Sequence, residues 1–199
     1  ADEAPDEALI TVEVTCQASK KGSLASNKIV KVMLPAASKV GLLREVMAGD
    51  LPEAALVLVE GRENPLQDSE VVPERVRVTD FGGKQGLYIR FSRSQAASVL
   101  HIIKEYFLKP EAQAKLDEIE KEAAGDPRKH SLHLAQVLMN EAYPIILRRY
   151  GIPCNKAEGL ALIPGALMEV GRHLELLYLQ MEAEKLMRNW PAVSYCEQH

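Results

Sequence analysis

Cys154 is the side chain in this sequence with the most evident potential for chemistry. It lies in the segment RRYGIPCNKAEG, where Arg148, Arg149 and Lys156 bring positive charge close to it along the chain. Cationic neighbours lower the pKa of a thiol, and the thiolate is the form of cysteine that acts as a nucleophile. Proximity along the chain does not by itself mark a nucleophile, so we interpret Cys154 as a small buried apolar side chain.

Two histidines form a second candidate site. His130 and His133 are three residues apart, a spacing that would place both on one face of a helix, where they could bind a metal ion. No nearby carboxylate or cysteine completes a ligand set, so we predict a solvent-facing pair and no metal site. His173 is interpreted as a surface or helix-packing residue.

A glycine-rich segment, GGKQG, has glycines around a lysine, Lys84, as phosphate-binding loops do. It lacks the Walker spacing and the Ser or Thr that follows the lysine, and it precedes a predicted strand instead of a helix. We therefore predict a hairpin turn. The sequence also has no Gly-x-Ser-x-Gly nucleophile motif. These patterns predict a protein that is not an enzyme, with no catalytic residue, no cofactor and no small-molecule substrate.

Composition excludes several classes of protein. Of the 199 residues, 47% are hydrophobic, which argues against a disordered chain. No segment approaches the ~18 uninterrupted apolar residues of a membrane span. The net charge is −4 and is divided evenly between the two halves, whereas nucleic-acid binding needs clustered positive charge. We expect neither nucleic acid nor membrane among the partners.

Cysteine usage and the first residues indicate the compartment. The three cysteines are far apart and form no CxxC pair, so neither a disulfide framework nor a four-ligand zinc site is expected. Residues 1–8, ADEAPDEA, are acidic, unlike a secretory or organellar leader, and are predicted to be a tail. A cytoplasmic protein fits these features best.

Hydrophobic periodicity in the first half predicts strands around one helix. LITVEVTC alternates apolar and polar residues and KIVKVMLP forms a second strand, so the two should pair as a hairpin. Ser38 is placed to cap a helix through SKVGLLREVMAG. AALVLVEG is predicted to be a short buried strand, RENPLQDSEVVPERVRVTDFGGKQ a turn-rich stretch, and GLYIRF the closing strand.

Two features resemble the β-grasp of the ubiquitin-like folds. One is the order of these elements, and the other is the segment VEGRENPLQDSEVV, which contains a strand, a glycine, Leu-x-Asp and a turn. The last strand runs on into SRSQ and not into a terminal Gly-Gly, so the resemblance does not imply a conjugated modifier. It implies a domain whose exposed sheet face and edge strand take partners. An adaptor in a ubiquitin-type pathway, with this domain as a ubiquitin mimic, is the alternative function.

The second half changes to helical periodicity. Apolar stripes predict helices that are interrupted near Pro110, at Gly125-Asp126-Pro127 and near Pro144, with Gly151 as a left-handed C-cap. The whole sequence therefore predicts an α+β chain. Its domains are a β-grasp domain at 9–93, an all-α helical bundle domain at 94–191 and a C-terminal tail at 192–199.

A series of short motifs spans about residues 96–159. It begins with VLHIIKEYFLKPE, continues with LDE at Leu116–Glu118, Gly125-Asp126 and Pro144, and ends with RRYGIPCNKAEG. In this order the motifs resemble the small helical family known as protein C-ten, with weaker similarity as far as Pro191. The chain departs from that family by one extra residue before Glu-Gly and by the β-grasp unit ahead of the helices. The resemblance implies a cytoplasmic helical protein with no established enzymatic activity.

Apolar side chains are in excess at the end of the chain. LELLYLQMEAEKLMRNW has more of them than one core-facing stripe of a small bundle needs. The candidates for contact with a partner helix or a second copy are Leu177, Tyr178, Met181, Met187 and Trp190. We predict a non-enzymatic scaffold or structural subunit that binds other protein subunits of a larger cytoplasmic assembly. A cytoskeletal assembly or the axoneme of a cilium is one such setting.

Overall fold

The chain folds into two compact units, the first ending at Arg90 and the second starting at Phe91. The computed structural model describes residues 8–18, 27–153, 156–170 and 173–198, and within 156–170 it describes side chains from residue 162 onward. The first unit is built on a sheet and the second is helical, so the protein has the α+β class that its sequence predicts. Residues 1–7 of the predicted acidic tail lie outside the described residues.

The first unit contains, in its described residues, a five-stranded mixed sheet. Its strands are β1 (Leu9–Ala18), β2 (Lys28–Pro35), β3 (Val57–Leu58), β4 (Arg75–Phe81) and β5 (Leu87–Ile89). Their order in space is β3-β4-β1-β2-β5. β1 is antiparallel to β2, which confirms the predicted pairing, and parallel to β4. β3 is antiparallel to β4, and β5 is parallel to β2.

One face of the sheet packs with helix α1 (Val40–Val46) around a buried aliphatic core. Successive side chains of a strand point to opposite faces, so every second residue reaches this core. The core residues from the three long strands and the helix include Val12, Val14, Val30, Val32, Val76, Val78, Val40 and Leu43. Burying each such side chain contributes roughly 1.5–3 kcal/mol, which makes this face the main source of stability for the unit.

Two sequence predictions about the strands of this unit and their connections are wrong. The stretch expected to be turn-rich contains β4, which lies beside β1 inside the sheet and buries Val76 and Val78. The GLYIRF segment contains the last strand, β5, as predicted, and this strand lies at an edge of the sheet beside β2. Because β4 and β5 are not neighbours in the sheet, the glycine-rich segment between them is not a hairpin turn.

Polar contacts fix this glycine-rich connection in place. Lys28 donates from Nζ to the main-chain carbonyl of Gln85 at 3.0 Å. The N–H of Gly82 donates to the carbonyl of Asp50 at 2.9 Å, and the hydroxyl of Tyr88 donates to the carboxylate of Asp50. The connection therefore presents carbonyl oxygens to a cation, whereas a phosphate-binding loop presents N–H groups to an anion.

Main-chain carbonyls of a loop cap the N-terminus of α1. The N–H groups of Val40 and Gly41 donate to the carbonyls of Glu70 and Asp68, at 2.9 and 3.0 Å. Ser38, the predicted cap, is buried, and its hydroxyl donates to the carbonyl of Pro35 at 2.6 Å. That prediction is wrong because the loop already supplies the acceptors that the first turn of a helix needs.

The second unit consists of helices packed around an aliphatic and aromatic core. They are α2 (Arg93–Phe107), α3 (Pro110–Ala123), α4 (Pro127–Val137), α5 (Tyr143–Arg149), α6 (Lys156–Val170), α7 (Leu174–Leu186) and α8 (Trp190–Gln198). Within this unit α2 packs against α7, α3 against α4, and α7 against α8. Among its fully buried side chains are Phe107, Leu116, Ile146 and Ile163. In the part of the chain that the structure describes, no helix is both long and apolar enough to cross a membrane.

The boundaries of these helices follow from specific residues. Ser92 and Gln95 form a capping box at the start of α2, in which each side chain accepts a hydrogen bond from the main-chain N–H of the other residue. A π-helical turn, Leu138–Ala142, separates α4 from α5 just before Pro144, so the predicted interruption there is confirmed. Gly151 follows α5 with φ of +64°, which confirms the predicted left-handed cap.

The predicted C-terminal tail at 192–199 is wrong for the residues described, because α8 continues to Gln198. Val193 and Cys196 lie three residues apart on one face of α8 and are buried. Pro191 does not end the helices as expected. It lies in the first turn of α8, where a residue without an N–H removes no intrahelical hydrogen bond.

We expect Gly83→Ala to destabilise the sheet unit by about 1–3 kcal/mol, the usual cost of forcing an atom into a filled space. An ideal Cβ at Gly83 would lie 2.5 Å from the Cβ of Asp50, which is too close for either atom to stay in place. Gly86→Ala is the matched control, because nothing lies within 4 Å of a Cβ there. Chemical denaturation measures both variants, and equal free energies of unfolding would contradict the close approach.

Candidate functional site

A groove of about 590 Å³ lies in the helical unit, between the α3–α4 corner and the start of α8. The α3–α4 corner contributes Glu120, Ala123, Asp126, Pro127 and His130 to its lining, and the other wall includes Arg188, Asn189, Trp190 and Pro191. Its volume falls within the range of roughly 300–1,000 Å³ that is typical of ligand-binding clefts. This groove is the candidate functional site.

One wall of the groove is set by the tight corner between α3 and α4. Ala124 and Gly125 both have positive φ, at +49° and +83°, and they reverse the chain after α3. The carboxylate of Asp126 then caps α4 by accepting a hydrogen bond from the N–H of Arg128 at 2.9 Å. Pro127 occupies the first helical position, so α4 starts at a fixed point.

The other wall is set by the turn from α7 to α8. The N–H of Asn189 donates to the carbonyl of Glu184 at 2.9 Å, and the N–H of Arg188 to that of Lys185 at 3.1 Å. This pair of hydrogen bonds is the Schellman motif, which places its left-handed residue at Arg188, with φ of +58°. Glycine is the usual residue there because a side chain in this conformation costs about 1–2 kcal/mol.

The side chain of Arg188 compensates for this unfavourable conformation. Its guanidinium contacts Asp117 at 2.8 Å and Glu120 at 2.7 Å and donates to Gln113 at 3.1 Å. Burial alone would lower the pKa of Arg188, but the hydrogen bonds to the two carboxylates raise it above its usual value. All three partners belong to α3, so Arg188 ties the α7–α8 turn to the helix that forms the opposite wall.

The groove has a surplus of negative charge. Arg188 is its one Lys or Arg among the described lining residues, and it already serves two carboxylates, Asp117 and Glu120. Of these two carboxylates only Glu120 lines the groove, and a second lining carboxylate is that of Asp126. An approaching ligand therefore meets more carboxylates than cations.

Trp190 lies at the groove with 57% of its surface exposed. It is the one tryptophan of the sequence, and a side chain of that size is normally well buried. His130 adds a polar group whose Nε2 is buried and has no hydrogen-bond partner among the described residues. The site combines an exposed aromatic ring, carboxylates and an unsatisfied imidazole nitrogen.

The five partner-binding candidates from the sequence do not form one surface. Trp190 lines the groove, whereas Tyr178 is 58% exposed on α7 and is not part of the groove lining. Leu177 and Met181 are half-buried. Met187 is only 5% exposed, so it is a core residue and cannot offer its side chain to a partner.

The two candidate metal ligands are separated by the structure. His130 lines the groove, and His133 lines a different recess, where its Nδ1 lies 3.4 Å from Glu122. No group of three or more His, Cys, Asp or Glu in the described residues is arranged to hold a metal ion. The pair therefore lacks the geometry of a shared metal centre.

The described thiols are buried. Burial raises the pKa of Cys16 to about 11, and although Lys28 opposes that shift, the thiol stays protonated at neutral pH. Burial also raises the pKa of Cys196, with Glu184 and Glu197 adding to the effect. Cys154, the candidate nucleophile, lies outside the described residues.

A polar network next to the π-helical turn stabilises the helical unit. Tyr106 donates from its hydroxyl to Glu141 at 2.6 Å, and Lys115 also binds this carboxylate. The hydrogen bond from Lys115, followed by that from Tyr106, lowers the pKa of Glu141. π-helical turns often occur at functional sites, but here the carboxylate is paired with two neighbouring helices and acts as a structural link.

Three charged residues of the groove wall, Glu120, Asp126 and Arg188, were not among the sequence candidates. The acidic segment that contains Glu120 and Asp126 was predicted to be a solvent-exposed helix face. Nothing in the local sequence marks Arg188 as a residue with left-handed backbone conformation. The one local signal is the step Trp190-Pro191, which places a large aromatic ring at the start of a helix.

We expect Arg188→Ala to destabilise the helical unit more than Arg188→Gly, by about 1 kcal/mol. Both variants lose the contacts with Asp117 and Glu120, but only glycine adopts φ of +58° without strain. Thermal or chemical denaturation measures the difference. Gly151 follows α5 with positive φ, as Arg188 follows α7, so Gly151→Ala is a matched substitution and should also be destabilising. Equal stability of the two Arg188 variants would contradict this account.

We expect Glu184→Gln to raise the Tm at pH 7 by a few degrees, since ~1 kcal/mol shifts the Tm of such a unit by about 4 °C. Burial raises the pKa of Glu184 above its ordinary value of 4.5, although hydrogen bonds from Asn189 and Gln180 oppose this shift. The folded state therefore disfavours the ionised carboxylate, and its stability falls as the pH rises through the ordinary pKa toward the folded value.

The advantage of Glu184→Gln should shrink as the pH falls toward 4.5, because the wild-type carboxyl is then protonated. Glu197→Gln removes the same charge from an exposed position on α8 and is the control. An unchanged or lower Tm for Glu184→Gln at pH 7 would contradict the prediction.

Comparison of the chain with models of protein families, with curated proteins and with solved structures finds no match in any of the three. The candidate site therefore rests on the geometry and charge of the groove itself.

Proposed function

We propose that the protein is a non-enzymatic interaction subunit of a larger cytoplasmic assembly and that it holds a partner protein in the groove beside Trp190. The observation that carries this proposal is the 57% exposure of Trp190 at the groove. Tryptophan is strongly enriched among the residues that supply most of the binding energy of protein interfaces. An exposed ring next to a concave surface provides such an anchor.

The two walls of the groove support binding because contacts within the protein hold them in place before a partner binds. Arg188 ties the α7–α8 turn to α3, and Asp126 and Pro127 fix the start of α4. A preformed groove costs less entropy on binding than a mobile surface does. The exposed apolar residues Tyr178 and Leu174 of α7 offer a second contact area in the same unit.

We also propose the finer assignments of the two units. For the sheet unit, the antiparallel pair β1–β2, the helix α1 and the parallel pair β1–β4 support a ubiquitin-like β-grasp, with β5 as an additional edge strand. For the helical unit, the turn at Gly125-Asp126, the interruption before Pro144 and the cap at Gly151 support its resemblance to the C-ten family.

The alternative is a ubiquitin-type adaptor whose sheet unit binds the partner. The outer sheet face carries Lys31, Arg75 and Arg77 around Glu13, with Ile29 as an exposed apolar residue. Protein interfaces are depleted of charge at their core and enriched in aromatic residues. The groove with Trp190 fits that pattern better than this sheet face, so we favour the helical unit as the binding surface.

We expect Trp190→Ala to weaken the association with the partner by at least about tenfold, the loss of an aromatic anchor. The measurement is purification of the tagged full chain from native cells, with quantitative mass spectrometry of the co-purifying proteins. Leu132→Ala is the matched control, because Leu132 is similarly exposed on α4 but does not line the groove. The identities of the lost proteins also show whether the assembly is cytoskeletal or axonemal.

Partners that remain bound to Trp190→Ala would contradict the proposal. If those partners are ubiquitin receptors or proteasome subunits, and Ile29→Ala releases them, the adaptor function replaces it. Circular dichroism of each variant checks that the fold is retained.

A further inference from the structure

We propose that the partner inserts a lysine or arginine side chain, flanked by apolar residues, into the groove beside Trp190. This inference rests on the proposed function and specifies the chemistry of the partner segment. Its basis is the combination of an aromatic ring, surplus carboxylates and an apolar lining in one concave surface.

The charge of the groove selects for a cation. Glu120 and Asp126 line the groove, and Asp117, which is not a lining residue, contacts Arg188. Arg188 is the single guanidinium or ammonium among the described lining residues and is held by two of these three carboxylates. The lining side chains carry two negative charges against one positive, so a partner cation would be favoured over a phosphate or an acidic side chain.

The exposed ring selects for the same ligand. A tryptophan face is the best aromatic partner for a lysine or arginine head group, and the attraction increases when the pair is removed from water. Trp190 is exposed at the groove and has no cation over its ring among the described residues. A partner side chain could therefore occupy this position without displacing a group of the protein itself.

The apolar lining accommodates the rest of the partner segment. Ala123, Pro127 and Pro191 provide surface between the carboxylates and the ring. Lysine and arginine place their aliphatic stems on apolar surface while the charged head seeks a polar partner. A flanking leucine-type residue would bury additional surface, and a groove of about 590 Å³ has room for more than one side chain.

The experiment uses the fluorescence of Trp190, which reports on the groove alone because the sequence has one tryptophan. The full chain is titrated with the peptide acetyl-Gly-Leu-Arg-Leu-Gly-amide and with the same peptide carrying Gln or Glu in place of Arg. We expect the Arg peptide to bind at least about fivefold more tightly than the Gln peptide. The Glu peptide should bind most weakly, and the preference should decline as salt is added.

Charge variants of the groove test which carboxylates are responsible. Asp126→Asn keeps a good helix cap and Glu120→Gln leaves Asp117 on Arg188, so both should retain the fold. Each should reduce the preference for Arg over Gln by about half or more. Glu118→Gln is the control, because it removes the same charge from α3 at a position that lines a different recess. Circular dichroism confirms that all three variants are folded.

Equal affinity for the Arg and Gln peptides, or no change in emission with the Arg peptide up to about 1 mM, a concentration at which even weak contacts bind, would overturn the inference. A preference that persists in both groove variants and falls in Glu118→Gln would also overturn it. These failures leave the proposed function standing if Trp190→Ala still releases the partner. Retention of the partner by Trp190→Ala contradicts the proposed function instead.

Discussion

The left-handed conformation of Arg188 is the constraint on which the candidate site depends. The Schellman turn after α7 requires a residue at positive φ, and an arginine there is unfavourable unless its side chain is stabilised elsewhere. Asp117 and Glu120 of α3 provide that stabilisation and so fix the distance between the two walls of the groove. Trp190 follows two residues later, begins α8 and is exposed.

Three titratable groups described inside the two units are either protonated or paired. Burial raises the pKa of the thiols of Cys16 and Cys196, which keeps both in the unreactive protonated form. The carboxylate of Glu141 is occupied by a lysine and a tyrosine. At the groove, the ring of Trp190 is exposed and the buried Nε2 atom of His130 has no hydrogen-bond partner among the described residues.

Local sequence predicted those features whose causes are themselves local. Gly151 marks a left-handed cap because glycine favours that conformation, whereas Arg188 takes the same position for reasons that lie on α3. Likewise β1 and β2 were predicted from their alternation, but β4, whose Val76 and Val78 alternate with arginines, was missed among turn residues. The prediction of Ser38 as a cap failed because the acceptors come from a loop distant in sequence. Of the groove lining, the sequence had singled out Trp190 as a partner contact and His130 as a candidate metal ligand.

The parallel pairing of β1 with β4 determines the order in which the sheet unit can assemble. β2 follows β1 closely along the chain, so their antiparallel pair can form early. The other edge of β1 pairs with β4, which is synthesised only after α1 and β3. During synthesis on the ribosome, that edge exposes unpaired N–H and C=O groups next to the apolar side chains of Val12 and Val14. Until Phe81 has been synthesised, that edge can pair with another chain, which is the aggregation hazard of an unpaired strand edge.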